Sequence, residues 1–90
     1  MNVEMVEVSE NVRTYTTRTR IASEPGNGYS SKTWDALTPE GKVLCRHLDT
    51  TDGIEEFRFG RHSVTVTKTP SKLWPWGEVH QEILRIFNLI

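Results

Sequence analysis

Few residues in this chain have the chemistry for covalent or metal work. One cysteine, Cys45, and three histidines, His47, His62 and His80, are its soft or borderline ligands. A Cys-x-His pair is not a strong metal spacing, and the other two histidines fall on separate elements. Cys45 is the one metal candidate, and on the apolar side of a predicted helix it reads instead as a small core residue. A cluster shared between two copies, one thiolate each, would still lack half of the usual ligands. Ser63 follows His62, but neighbouring strand residues point to opposite faces, so the pair is poorly placed as nucleophile and base. Glu24 to Gly28 contains two glycines but precedes a predicted strand rather than a helix, so it is not a phosphate loop. No cofactor and no enzymatic activity are expected.

The remaining chemistry belongs to surfaces. Arg13, Arg18 and Arg20 accompany Tyr15, and Arg58, Arg61, His62, Lys68 and Lys72 lie further along. Basic side chains around an aromatic are the footprint of a nucleic-acid site. The plainer reading is solvated strand edges, screened by Glu4, Glu7 and Glu10. Leu73, Trp74 and Trp76 surround Pro75. Trp76 falls in a helical apolar stripe and is expected in the core. Trp74 either packs in the core as well or stands exposed, as tryptophan does at interfaces. The partner-binding candidates are therefore Trp74, Arg18, Arg20, Arg58 and Arg61.

Composition narrows the classes. Ninety residues with 36% hydrophobic and 26% charged content suit one small globular domain. A net charge of −1 provides no whole-protein field for nucleic acid or acidic lipid, so such binding would need a local patch. One cysteine excludes an internal disulfide framework. No apolar run is long enough to span a membrane. The N-terminus is acidic and lacks the apolar core of a signal peptide. These features point to a cytoplasmic protein.

The elements that must position these residues follow from local pattern. Residues 1–11 read as a flexible leader or an edge strand, and residues 12–90 as the domain. Val12 to Ala22, β-branched and aromatic, predicts a strand with no strongly apolar face, which suits a sheet edge or a strand well exposed to water. Ser23 to Gly28 predicts a turn, and Tyr29 to Trp34 a short strand with Trp34 anchored in the core. Thr38 and Pro39 start a helix as N-cap and first helical residue, and Gly41, Leu44, Cys45 and Leu48 share its apolar face. Ile54 to Phe59 and Ser63 to Lys68 predict a hairpin, with Gly60 at positive φ and Val64 and Val66 inward. From Pro75 or Trp76 onward, Val79, Ile83, Ile86, Phe87 and Ile90 mark a C-terminal helix. The order ββαββα predicts an α+β fold: a small antiparallel or mixed sheet with two helices packed on one face.

From Thr38 onward this pattern resembles the N-terminal domain of Nfu-type iron–sulfur scaffold proteins. The resemblance rests on Thr38-Pro39 at the helix start, Gly53-Ile54 entering a strand, and the turn at Gly60. It continues through Val64-Thr65-Val66-Thr67-Lys68, Trp76, and the stripe of Val79, Ile83 and Phe87. Upstream, Glu24-Pro25-Gly26-Asn27 stands where the family has a Pro- and Asn-rich turn. The family's cluster site is a Cys-x-x-Cys in a separate domain, a motif this sequence lacks. The resemblance therefore implies an accessory, partner-binding module without catalytic residues, linked to iron–sulfur cluster assembly. Docking would use the sheet face or the Trp74 corner. The alternative is a nucleic-acid-binding module using an Arg-rich strand face around Arg18 and Arg20.

Overall fold

A computed structural model describes residues 3–90. Its elements are β1 (Val3–Ser9), β2 (Val12–Thr17), β3 (Gly26–Asn27), α1 (Ser31–Ala36), α2 (Pro39–Asp49), β4 (Ile54–Phe59), β5 (Ser63–Lys68) and α3 (Trp76–Phe87). The sheet is antiparallel throughout, in the order β1-β2-β5-β4-β3. The fold is α+β.

Register explains the layering. Met5, Tyr15, Val64, Phe59 and Gly26 stand side by side across the sheet, and Arg13, Val66 and Phe57 form the next row. Side chains alternate along each strand, so these rows share one face. Tyr15, Phe57, Phe59, Val64 and Val66 are buried there with Leu44, Cys45 and Leu48 of α2 and Val79, Ile83, Ile86 and Phe87 of α3. Each large apolar side chain in that layer contributes roughly 1.5–3 kcal/mol through burial. The opposite face carries Val6, Thr14, Thr65 and Arg58 in one row, and Thr14 Oγ1 lies 2.9 Å from Thr65 Oγ1.

Several expectations hold. The Thr38 hydroxyl accepts from Gly41 N at 3.1 Å, with Pro39 in the first helical turn. Gly41 passes so close to the Ile21 carbonyl that any Cβ would clash with it. The β4–β5 hairpin forms with Val64 and Val66 inward, and α3 begins at Trp76.

Others are corrected. The strand expected over Val12 to Ala22 stops at Thr17. Ile21 and Ala22 are both buried, which the period-two geometry of a strand facing one core does not permit. β2 is also interior rather than at the edge, because the leader forms β1 outside it. Of the leader, Met1 and Asn2 lie outside the described residues.

The stretch expected as a second strand, Tyr29 to Trp34, is mostly α1. Ser30 accepts from Thr33 N at 3.2 Å, so N-cap chemistry prevails over β propensity. Gly26 and Asn27, expected in a turn, pair with Phe59 and Arg58 instead. Trp34 is half-buried against the core from its helix, not from a strand. Gly60 is not at positive φ; among the described residues that conformation belongs to Gly28 and Gly53. An irregularity between Ile54 and Glu56 also breaks the simple alternation of β4.

Candidate functional site

Four of the five partner-binding candidates divide between the two ends of the sheet. At one end, Thr17 N donates to His62 O at 2.8 Å and Ile21 N to Arg61 O at 2.7 Å. These bonds lace the β4–β5 turn to the segment leaving β2. Arg18, Arg20, Arg61 and His62, all exposed, are gathered there. Arg61 Nε donates to Ser23 O at 3.2 Å, and His62 Nδ1 lies 3.2 Å from Thr19 O. The Thr38 hydroxyl donates to Arg20 O at 2.7 Å, tying the same segment to the start of α2. The expected strand face around Arg18 and Arg20 does not form, because both follow the end of β2. Arg58 stands apart on the open sheet face, where its Nε donates to Asn27 Oδ1 at 2.9 Å.

Trp74 lies at the other end. Its ring packs on Gly53, with ring atoms 3.1 Å from where a Cβ would stand. Gly53 has φ +87°, a conformation that also favours glycine. Trp74 is half-buried against the core, which is the packed alternative rather than the exposed one. The exposed apolar side chain of this corner is Leu73, at 80%, which reading the tryptophans alone did not single out.

Trp74 forms one wall of a groove of about 380 Å³ between the end of α2 and the start of α3. Asp52, Glu78 and Glu82 line it with His47 and Arg85. Arg85 Nε bonds both Glu82 oxygens, at 3.0 and 3.1 Å. These hydrogen bonds hold the Glu82 carboxyl below its usual range, with the Arg85 and His47 charges adding to the effect. With Glu82 engaged by Arg85, the groove presents the Asp52 and Glu78 carboxylates beside an indole, a combination complementary to a cationic side chain.

A polar cluster that sequence reasoning missed lies under α3. Tyr15 is fully buried, and its hydroxyl is 2.8 Å from His80 Nδ1. Burial raises the Tyr15 pKa and lowers that of His80; the Arg13 charge lowers His80 further. Arg13 itself donates to Glu7 Oε1 at 3.1 Å and stacks 4.3 Å from the Trp76 ring centroid. Trp76 Nε1 donates to Glu10 O at 2.8 Å. Trp76 is half-buried: it packs against the margin of the core rather than inside it, and clamps the β1–β2 turn. With Tyr15 sealed from solvent, the Tyr15–His80 pair is a structural contact between sheet and helix. Its signal in the sequence was weak: a tyrosine in a strand with no strongly apolar face.

Cys45 is fully buried in the core. Burial, with a smaller contribution from the Asp49 charge, pushes its thiol up to about 11. The thiol is protonated at neutral pH and is a poor nucleophile or ligand. His47 lines the groove, His62 faces Thr19 O and His80 is engaged with Tyr15. Among the described residues, no group of three or more His, Cys, Asp or Glu side chains is placed to hold a metal ion.

The uncovered sheet face holds a wider basin of about 720 Å³, bordered by Val8, Val12, Tyr29, Arg58, Thr65 and Thr67. Tyr29 stacks on Trp34 with ring centroids 5.3 Å apart. Lys42 and Arg46 lie 5.5 and 5.7 Å from the Trp34 ring centroid. Among the described residues, no helix is long and apolar enough to cross a membrane. Comparison with family models, with curated proteins and with solved structures finds no match to this chain.

Proposed function

We propose that this chain is a small non-catalytic protein-interaction domain resembling the Nfu N-terminal module and serving iron–sulfur cluster assembly in the cytoplasm. The observation that carries the reading is the groove beside α3, where Trp74 is fixed over Gly53 next to Asp52, Glu78 and Glu82. A partner docks there through a basic side chain, with Leu73 supplying apolar contact at the rim. The non-catalytic part is supported by how the reactive groups are used: Cys45 is buried and protonated, and His80 is held by Tyr15.

The test is affinity capture from cell extract with wild type, Leu73→Asp and Glu78→Lys, identifying bound proteins by mass spectrometry. Leu73 and Glu78 are both exposed, so unchanged circular dichroism should accompany each variant. The expected result is recovery of cluster-assembly proteins by wild type and their loss with both variants. Recovery of none, or equal recovery by all three proteins, rules out the groove as the docking site.

A second reading, nucleic-acid binding, is favoured by the gathering of Arg18, Arg20, Arg61 and His62 at one end of the sheet. It requires oligonucleotide affinity that falls steeply with salt and weakens in an Arg18→Ala/Arg20→Ala variant. Absence of salt-sensitive binding removes it.

A further inference from the structure

The two edges of the sheet are unlike each other. β3 is only two residues long, which guards its edge by brevity. β1 is seven residues long and contains neither proline nor lysine. It pairs only with β2, on its inner side, among the described residues. A register shift between Glu7 and Ser9 lies at one end and leaves the rest of the strand regular. Val6 and Val8 are 60% and 61% exposed. A long, regular edge carrying exposed valines is a template for strand addition.

The residues of β1 indicate what adds. Opposed residues of an antiparallel pair share a face, so only registers that keep the two faces in phase need comparison. A two-fold axis at Glu7 would set glutamate against glutamate. An axis at Met5 would set each Val6 against Glu4. An axis at Val6 lies within the regular part of the strand, Val3 to Glu7, and sets Met5 against Glu7 with no like charges directly opposed; unlike an axis at Met5, it sets the exposed Val6 against its own copy. Glu7 is also held by Arg13 at 3.1 Å within its own chain, which reduces the acidity of the edge. The incoming strand is already formed in the second copy, so its ordering entropy is not lost on binding.

We propose that β1 is the interface for a second copy of this chain, joined antiparallel about a two-fold axis at Val6 into one continuous sheet. Such an interface is isologous and closes at two copies. It brings the exposed valines of both copies together on the open sheet face. It is independent of the groove beside α3.

Sedimentation equilibrium over a micromolar-to-millimolar range tests the proposal, together with single substitutions. Wild type is expected to be a concentration-dependent dimer. Val6→Lys, at an exposed position, should keep the far-ultraviolet spectrum and weaken dimerisation about tenfold or more, since it opposes like charges across the axis. Val6→Cys should oxidise to a disulfide-linked dimer faster than Glu4→Cys, because only position 6 faces itself; Cys45 is buried and does not compete. A monomer at all concentrations, a dimer insensitive to Val6→Lys, growth beyond two copies, or equal cross-linking from positions 4 and 6 overturns it. So does a monomer whose β1 amides gain exchange protection only with an added lysine-rich extended peptide.

Discussion

The Tyr15 hydroxyl lies 2.8 Å from His80 Nδ1, with the two rings stacked 5.6 Å apart. This contact joins β2 to α3. The depressed pKa of His80 favours a neutral imidazole there, and its tautomer sets which partner donates.

Stability should therefore fall on mild acidification. The folded pKa of His80 lies below its unfolded value, so its contribution is complete above the unfolded pKa and is lost as pH falls toward the folded one. Urea unfolding at a series of pH values from about 8 down to about 5 should show a falling midpoint, and His80→Gln should flatten the upper part of that fall. An unchanged slope in the variant would assign the effect to other groups.

Tyr15→Phe keeps the ring contact with Phe87 and removes only the hydroxyl. It should cost about 1 kcal/mol near neutral pH, read from the same unfolding curves. A cost near zero would mean that the bond is no better than one to water.

Three glycines should respond differently to alanine. Gly41→Ala forces a Cβ into the Ile21 carbonyl and should destabilise by ~3 kcal/mol, among the larger overpacking costs. Gly53→Ala combines a positive φ with contact on the Trp74 ring and should cost roughly 1–3 kcal/mol, with a shift in tryptophan fluorescence. Gly28→Ala, at φ +58° but in open space, should cost about 1 kcal/mol from backbone strain alone. Thermal unfolding orders the three, and a mildest Gly41→Ala would contradict this packing.

Cys45 should be inert in the native state. An aromatic disulfide reagent should modify it only at the rate of unfolding, and faster in urea, because the thiol is buried and held up to about 11. Rapid labelling without denaturant would place it at the surface.

The sequence alone determined those elements whose signals are local. α2 was legible because Thr38, Pro39 and the spacing of Leu44, Cys45 and Leu48 all specify the same helix. The β4–β5 hairpin was legible because only one register buries Val64 and Val66. α3 was legible from Pro75 and the stripe beginning at Val79.

What depended on remote partners was decided only by the tertiary structure. Tyr15 became core because α3 packed over its face of the sheet while β1 paired along the outer side of β2, and no residue of β2 encodes those neighbours. Ser30 turned the expected second strand into α1, while Gly26 and Asn27 found a partner strand more than thirty residues away. The surface candidates were the least legible, since where Arg18, Arg61 and Trp74 stand relative to one another depends on how the chain ends are laced. The basic end forms through backbone hydrogen bonds from Thr17 and Ile21 to the β4–β5 turn, and backbone groups are the same in every residue but proline. Residue types could therefore propose those surfaces, but only the packing of the sheet could place them.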